Sequence, residues 1–159
     1  MQAYFHIKHV YWEEYFVNIA KLSDCSIIKT GKLNSTDADP FGIYPFFTCD
    51  PQTLKINSFA FDEEAVLLAG NNAIGKFNIK YYVGKFNAYQ RTYIIKSSSQ
   101  NLSTKYLYYY LSTILPQFTA LSSGSATKFL TKTILDSVNV VIPSIKHQQH
   151  IVDIRRNIA

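Results

Sequence analysis

The hydrophobic pattern of this sequence changes its period near residue 100, and this change restricts the folds the chain can adopt. Before that point, short runs rich in β-branched and aromatic residues are separated by turn residues, which predicts strands. The predicted strands are CSIIKTGK ending at Gly31, IYPFFT, KINSFAF, AVLLA and AYQRTYII. Pro45 cannot donate to a strand ladder, so IYPFFT is predicted to be an edge strand. The pattern predicts a single α+β domain.

Helical spacing dominates after residue 100. From Ser103 as N-cap to Pro116 as stop, apolar residues repeat at i, i+4 and i+8: Tyr106, Leu107, Tyr110, Leu111, Ile114 and Leu115. FLTKTILDS predicts a second short helix and VNVVIP a strand. SIKHQQHIVDIRRNIA predicts a last helix, capped by Ser144 and carrying Ile151, Ile154 and Ile158 on one face. At the other end, WEEYFVNIAKLSD predicts a short helix or an irregular lead-in.

The stretch AVLLAGNNAIGKFNIKYY contains the G-x-x-x-x-G-K skeleton of a phosphate-binding loop, from Gly70 to Lys76. Such a loop needs a Ser or Thr after the lysine to bind magnesium, and a helix must start there. Phe77 follows the lysine instead, and the next residues do not favour a helix. No acidic residue for the metal occurs between Ala65 and Leu135. The glycines are therefore interpreted as tight turns beside a strand.

Charge is distributed unevenly along the chain. The 71 residues between Glu64 and Asp136 contain no Asp or Glu, eight of the 16 cations and 12 of the 24 aromatic residues. The remaining residues carry eight cations and all eleven acids. A long basic and aromatic block is typical of a surface that contacts a nucleic-acid backbone. The alternative is a solvated basic face in a protein of net charge +5.

The same block supplies side chains that can read DNA. Arginine can bond guanine bidentately, and Asn or Gln can bond adenine; the candidates are Asn71, Asn72, Asn78, Asn87, Gln90 and Arg91. Lysines contact phosphates without reading sequence, and the candidates are Lys76, Lys80 and Lys128 in the block and Lys32 before it. The alternative for Asn71 and Asn72 is a purely turn-forming role. The aromatic residues from Tyr106 to Tyr110 are expected to pack in the core.

Other chemistry is less well supported. His6 with His9, and His147 with His150, form H-x-x-H pairs that could hold zinc, but no cysteine lies near either pair and solvated histidines are favoured. The carboxylate runs, Asp37 with Asp39 and Asp62–Glu63–Glu64, are the candidates for a nuclease metal site; turn and solvent roles are favoured. No catalytic residue, metal site or cofactor is predicted.

Two cysteines, Cys25 and Cys49, do not make a disulfide framework, and neither has a neighbouring histidine that would activate a nucleophile. The N-terminus lacks the pattern of a signal peptide, and no apolar run is long enough to cross a membrane. A cytoplasmic protein without membrane contact is therefore expected.

Five segments follow one another along the chain in this order: FGIYPFFTCD, FDEEAVLLAGNNAIGK, GKFNAYQRTYII, YLYYYLS and GSATKFLTKTILDSVNVVIPSIKHQQHIV. This succession resembles the target-recognition domain of the specificity subunit of type I restriction-modification enzymes. The resemblance extends from about Trp12 to the C-terminus, and the closing IP…Q…IV is its most specific part. The sequence departs from the family pattern at His147, where a Glu usually precedes the residue corresponding to Gln148.

The resemblance implies a DNA reader rather than a catalyst. Its fold would be a mixed, curved β-sheet with packed helices, formed by residues 1–143, and residues 144–159 would begin a spacer helix. Members carry two such domains, each reading one half of a split double-stranded DNA site. Separate methyltransferase (M) subunits bind S-adenosylmethionine and modify adenine, and a restriction (R) subunit translocates and cuts. The alternatives are a small metal-dependent DNA nuclease using Asp62, Glu63 or Glu64, and an interaction remnant that does not bind DNA.

The last helix raises a question of assembly. Sixteen residues span about 24 Å, less than the roughly 34 Å of one DNA turn. Its apolar stripe would seek a partner helix. The chain is expected either to form a homodimer through this helix or to be a fragment of a longer gene.

Overall fold

The computed structural model describes residues 17–158, which form ten strands and five α-helices. The strands are β1 (Asn18–Lys21), β2 (Ser26–Thr30), β3 (Tyr44–Phe47), β4 (Leu54–Ile56), β5 (Phe61–Ala69), β6 (Asn71–Asn72), β7 (Ile79–Ala88), β8 (Thr92–Ser97), β9 (Lys128–Phe129) and β10 (Asn139–Ile142). The helices are α1 (Leu22–Cys25), α2 (Thr104–Thr113), α3 (Leu115–Leu121), α4 (Lys132–Ser137) and α5 (Ile145–Ile158). Among the described residues, none of the helices has the length and apolar character needed to cross a lipid bilayer.

The main sheet has the strand order β2-β8-β5-β7-β3-β4. It is mixed, because β3 runs parallel to β7 while the other pairs are antiparallel. It is also curved: the carbonyl of Phe47 on β3 accepts hydrogen bonds from Tyr89 N (2.9 Å) and from Thr92 Oγ1 (3.1 Å), although β5 and β7 separate β3 from β8 in the sheet. The predicted mixed, curved sheet of an α+β fold is confirmed.

The curved sheet has a core on each face. Successive residues of a strand point to opposite faces, and β5 is buried on both, which explains its unbroken apolar run. Ala65 and Leu67 lie in the smaller core, with Phe47, Phe86, Ala88 and Ile94. Val66 and Leu68 lie in the larger one, against helix residues that include Leu107, Leu111, Phe118 and Leu135. The sequence run AVLLA thus serves two cores.

The predictions for the strands IYPFFT and AYQRTYII need correction. Pro45 is not on an edge strand, because β3 lies between β7 and β4; its pairing with β7 starts only at Phe46, so the missing N–H of Pro45 is tolerated. AYQRTYII is divided between two strands by a turn that Thr92 N closes onto Tyr89 O at 2.8 Å. No glycine or proline marks this turn in the sequence.

The acidic run before AVLLA also differs from expectation. KINSFAF is not one strand: its first two residues, Lys55 and Ile56, end β4, and its last, Phe61, begins β5, which includes Asp62, Glu63 and Glu64. Partners distant in sequence make carboxylates acceptable in a strand. Glu63 pairs with Lys29 on β2 (3.8 Å) and with Lys96 on β8 (3.3 Å), and Glu64 accepts a hydrogen bond from the hydroxyl of Tyr81 on β7.

The helix predictions are confirmed in part. Ser103 caps α2, its Oγ accepting from Tyr106 N at 3.3 Å. Pro116 does not end the helical region but lies in the first turn of α3, where a missing N–H removes no intrahelical bond. FLTKTILDS gives β9 and α4, and Thr131 caps α4 by accepting from Ile134 N.

The flanking segments form a second, two-stranded sheet of β1 and β10. VNVVIP is therefore a strand, as predicted, but it lies outside the main sheet. The predicted lead-in WEEYFVNIAKLSD lies outside the described residues up to Phe16, and its remainder contributes β1 and the start of α1.

The last helix is α5, and Ser144 Oγ accepts from His147 N at 3.4 Å at its start. Its buried residues are Gln148 and Val152. Ile151 packs beside them against the larger core, whereas Ile154 and Ile158 are 45% and 76% exposed. The predicted apolar stripe is thus divided between the core and solvent.

Candidate nucleic-acid interface

Several loops meet where β5 ends and where β7 and β8 begin. Ala69 N donates to Asn78 O and Gly70 N donates to Arg91 O, both at 2.8 Å. The end of β5 is therefore bonded to the residues that precede β7 and β8. Leu130 N donates to Gly70 O at 2.8 Å, which brings in the segment before α4. We call this surface the loop face; it comprises residues 30–34, 48–53, 70–78, 89–91 and 122–132.

The loop from Gly70 to Asn78 is a turn and contains no helix. Asn72 Oδ1 accepts from Ile74 N (2.9 Å) and Lys76 N (3.1 Å), which fixes the turn. Gly75 adopts a φ of 75°, a left-handed conformation that favours glycine. After Lys76 the next element is strand β7, which begins at Ile79, and not the helix that a phosphate-binding loop requires. Lys76 itself is exposed.

The ladder between β6 and β9 holds this loop against the 122–132 segment. Asn71 pairs with Phe129, and Asn72 pairs with Lys128. Thr119 Oγ1 on α3 donates to Gly75 O at 2.6 Å. The residues at the base of the loop, Asn71, Asn72 and Lys128, are half-buried. The side-chain oxygen of Asn72 is used in the turn, as the turn-forming alternative predicts.

The turn at residues 89–91 presents two of the candidate base readers to solvent. Gln90 and Arg91 are both exposed. Gln90 Nε2 donates to Asn34 Oδ1 at 3.0 Å, and the guanidinium carbon of Arg91 lies 5.3 Å from the ring centroid of Phe129. A stacked guanidinium is held by its face, which leaves its N–H edge free to meet a ligand.

A cleft of about 540 Å³ lies beside this turn. Its lining includes the polar side chains of Thr30, Gln90, Arg91, Ser123, Thr131 and Lys132. Tyr93 forms part of the wall, and its hydroxyl donates to Leu130 O at 2.9 Å; burial raises the pKa of Tyr93, so the phenol stays neutral. Hydroxyl, amide and cationic donors therefore surround a space open to solvent.

Lys132 at the edge of the cleft forms an ion pair with Asp136, with 2.7 Å between Nζ and Oδ2. Lys132, Thr30, Ser123 and Thr131 were not among the sequence candidates. They come from residue 30 and residues 123–132, and nothing in the local sequence indicates that these segments meet Gln90 and Arg91.

Asn78, Asn87 and Lys80 are committed to other parts of the protein. Asn78 Nδ2 donates to Cys49 O at 3.0 Å. Asn87 is 5% exposed; its Nδ2 donates to Ser58 O (3.4 Å) and Oγ (3.3 Å), and its Oδ1 accepts from Ala88 N (3.0 Å). In this conformation Asn87 cannot reach a base edge, and its prediction as a reader is not supported.

Lys80 is half-buried and is bonded to the neighbouring 48–53 loop. Its Nζ donates to Asp50 O at 3.0 Å and lies 5.9 Å from the ring centroid of Phe47. Burial lowers the pKa of Lys80, and the nearby Asp50 carboxylate opposes that shift. Lys80 thus holds the 48–53 loop, whereas Lys32 and Lys76 are exposed and free to face a phosphate.

The carboxylates do not assemble a metal site among residues 17–158. Along β5, Glu63 points to the opposite face from Asp62 and Glu64, and Glu63 and Glu64 have the partners given above. Asp37 accepts from Asn34 N, and Asp39 accepts from Phe41 N and Asn57 Nδ2, which are turn roles.

The remaining candidates for chemistry are also accounted for. His147 and His150 are exposed on α5, and the other histidine pair lies outside the described residues. Cys25 is buried, which raises the pKa of its thiol, and Cys49 Sγ donates to Arg91 O at 3.5 Å.

Comparisons with known proteins point to one family. Residues 16–157 match the sequence profile described as "Type I restriction modification DNA specificity domain". The chain is 43% identical over 128 residues to the EcoDI type I restriction enzyme specificity subunit of Escherichia coli, covering 80% of this chain and 28% of that protein. It is 30% identical over 93 residues to the putative MjaX type I restriction enzyme specificity subunit of Methanocaldococcus jannaschii, covering 57% of this chain and 21% of that protein. The chain thus spans less than a third of the length of either relative.

Two experimental structures have a similar fold. The type I restriction-modification S subunit from M. genitalium aligns with a TM-score of 0.75 and 17% identity, over 87% of this chain and 38% of that one. The HsdS subunit from Thermoanaerobacter tengcongensis aligns with a TM-score of 0.64 and 17% identity, over 89% of this chain and 37% of that one.

Proposed function

Because this chain belongs to the family of type I restriction-modification DNA specificity domains, we propose that it reads one half of a split double-stranded DNA site through the loop face. The observation that carries the proposal is the convergence of exposed Gln90 and Arg91 with exposed Lys32 and Lys76 on loops joined by backbone hydrogen bonds. These side chains combine donors that read base edges with cations that contact phosphates.

The roles divide by side-chain type and freedom. Arg91 and Gln90 are the base readers, supported by the walls of the cleft. Lys32, Lys76 and Lys128, with Lys132 added from the structure, contact phosphates. Asn71 and Asn72 shape the loop that presents Lys76, and Asn78 and Lys80 hold the 48–53 loop in place.

Membership of the family supports a proposal for the wider assembly. Residues 1–143 act as the target-recognition domain, and residues 144–159 begin the spacer helix. The chain directs a separate methyltransferase (M) subunit and a restriction (R) subunit, which carry out the chemistry, while the chain itself is not an enzyme. A metal-dependent nuclease receives less support, because Glu63 points to the opposite face from Asp62 and Glu64, and because Glu63 and Glu64 have side-chain partners.

Salt dependence tests the proposal. With four to six phosphate contacts, the logarithm of the binding constant should fall with the logarithm of salt concentration with a slope of roughly −4 to −5. The measurement is a titration of labelled duplexes at several salt concentrations, with a magnesium arm to detect cutting. A slope near zero overturns DNA recognition, and magnesium-dependent cutting by the isolated chain favours the nuclease instead.

Substitutions separate reading from positioning. Arg91→Ala or Gln90→Ala should cost about 1–3 kcal/mol on the cognate half-site only. Lys76→Ala should weaken binding to cognate and random duplexes alike, whereas Lys85→Ala, which removes an exposed lysine paired across from Asp62, should change neither. Equal losses on both duplexes for Arg91 and Gln90 would show that other residues read the bases.

Self-association is a second part of the proposal. Ile154 and Ile158 are exposed along α5 and give a second copy an apolar surface to pack on. A homodimer through this helix would read a two-fold symmetric split site. Sedimentation at micromolar concentration should show a dimer that Ile154→Glu dissociates. A monomer with and without that substitution would remove the homodimer from the proposal.

A further inference from the structure

The apolar and buried attachment of α5 to the rest of the domain lies between Gln148 and Val152. Gln148 and Val152, one helical turn apart, are 0% and 3% exposed and are its buried residues. Every described residue from Asp153 to Ile158 is exposed. The direction of the exposed end of the helix therefore depends mainly on what holds the turn from Gln148 to Val152.

A single amide group fastens this turn. Gln148 Oε1 accepts from Ser103 N at 2.8 Å, and Gln148 Nε2 donates to Asn101 O at 2.7 Å and to Pro143 O at 2.8 Å. Both amide hydrogens and the carbonyl oxygen are thus used. The three partners lie at the start of α2 and at the end of the segment that follows β10, so one side chain joins two places to α5.

Burial makes these bonds directional as well as stabilising. The Gln148 side chain is 0% exposed and therefore has no hydrogen bonds to water. If the helix shifts so that one of the three bonds breaks, a buried donor or acceptor is left without a partner. Apolar packing at Val152 is short-ranged but not directional, and it tolerates small rotations. The amide does not, because donor and acceptor must remain aligned.

We infer that Gln148 is a positioning residue: its buried amide fixes the angle at which α5 leaves the recognition domain. The inference rests on the proposed function, in which α5 begins the spacer between two half-sites. The helix continues for about ten residues beyond Gln148, or about 15 Å, so a tilt of about 10° moves its end by about 2.6 Å. That displacement approaches the rise of one base pair, roughly 3.4 Å, and would alter the spacing at which a second reader meets DNA.

A distance measurement tests the angle directly. Spin labels at Lys55→Cys on β4 and Arg155→Cys on α5, both exposed positions, report the helix direction by electron double resonance. The background carries Cys49→Ser, and buried Cys25 is shielded from the label. Gln148→Met, which keeps the shape without the bonds, and Gln148→Glu, which removes the N–H donors, should broaden the distance distribution by about 2 Å, as expected for that tilt at a label seven residues beyond Gln148.

Val152→Ala is the matched control. It removes apolar contact one turn away and leaves the amide bonds intact, so its distribution should stay as narrow as that of the unsubstituted chain. Equal broadening by Val152→Ala and by the Gln148 variants would overturn the inference, since packing alone would then set the angle. Unchanged distributions for both Gln148 variants would overturn it as well.

Hydrogen exchange in the unsubstituted chain covers the case in which the variants do not fold. The Gln148 carboxamide protons and the Ser103 amide should be protected from exchange in NMR spectra. Exchange at the rate of an exposed side-chain amide would overturn the inference. DNA binding is measured separately: a chain with a fixed α5 that binds no DNA would contradict the proposed function and leave the positioning role intact.

Discussion

At the scale of single residues, chemically similar side chains in the acid-free block differ in burial and in hydrogen-bond partners. Asn87 and Gln90 are both amides and lie three positions apart, yet Asn87 is buried against Ser58 and Gln90 is exposed beside Asn34. Lys76 and Lys80 differ in the same way, since only Lys80 is held by the carbonyl of Asp50. Residue type decides what a side chain can bind, and burial decides whether it is available.

Asn87→Ala should therefore lower stability and leave sequence preference unchanged. The substitution leaves the buried Ala88 N–H without the Asn87 oxygen and removes the bonds to Ser58, a cost of about 1–3 kcal/mol in the free energy of unfolding. Urea unfolding, with binding to cognate and random duplexes, checks both points. A variant of normal stability that has lost its preference for the cognate duplex would contradict this role.

Tyr106 should titrate apart from exposed tyrosines. Its hydroxyl donates to Val141 O at 2.7 Å, and burial, with a smaller contribution from Tyr110, raises its pKa to about 12. Because the folded state holds this proton more tightly than the unfolded chain, whose pKa is about 10, the stabilisation is complete below pH 10 and is lost as the pH rises toward 12.

Absorbance at 295 nm measures this ionisation. The difference between the unsubstituted chain and Tyr106→Phe should contain one tyrosine that titrates near pH 12. Between pH 9 and 11 the urea midpoint should fall further in the unsubstituted chain than in Tyr106→Phe. A difference titration centred near pH 10 would show that Tyr106 is hydrated.

At the scale of elements, the loop face depends on supports that carry no charge. The Gly70–Asn78 loop is held from outside by Thr119 on α3, and the β6–β9 ladder holds its base. These contacts keep Lys76 at one place on the surface, and the turn at residues 89–91 is fixed similarly by Gln90 N donating to Leu33 O at 2.9 Å.

Thr119→Val should loosen the loop without changing its charge. The substitution keeps the side-chain shape and removes the hydrogen bond to Gly75 O, so amide exchange from residue 73 to 76 should become faster and DNA binding weaker at every sequence. The salt slope should be unchanged, because no phosphate contact is removed. Thr113→Val is the control, since Thr113 Oγ1 donates within α2 to Tyr110 O. Equal effects of the two substitutions would contradict a specific role for Thr119.

At the scale of the whole molecule, β5 couples two cores that lie on opposite faces of one sheet. Ala65 and Leu67 contribute to the smaller core, Val66 and Leu68 to the larger. A strand buried on both faces cannot leave one core without disturbing the other, so we expect the domain to unfold as a unit.

Phe86→Ala tests this coupling. Phe86 is fully buried in the smaller core, stacked on Phe61 and edge-on to Phe47, and its truncation should cost about 3–5 kcal/mol. The loss should shift a single transition, seen at the same urea concentration by far-UV circular dichroism and by near-UV tyrosine signals. Two separated transitions would show that the helix-side core is stable alone.

Much of this protein is encoded locally. The period change near residue 100 predicts an α+β fold, Ser103 predicts the start of α2, and Phe77 after Lys76 excludes a phosphate-binding loop, because each depends on neighbours within one turn or strand. The distribution of charge places every candidate DNA contact except Lys32 in one block, and the ordered motifs predict the family.

Tertiary structure decided the rest through contacts between residues far apart in sequence. Glu63 becomes a strand residue because Lys29 and Lys96 reach it from β2 and β8. The buried Gln148 amide is satisfied because Ser103 N donates to its oxygen and Asn101 O accepts from its nitrogen. The cleft beside Arg91 exists because residues 123–132 fold back onto Gly70. A local stretch of sequence contains only one member of such a pair. The register of the folded sheet determines which polar groups find a hydrogen-bond partner inside the protein and which remain free to bind DNA.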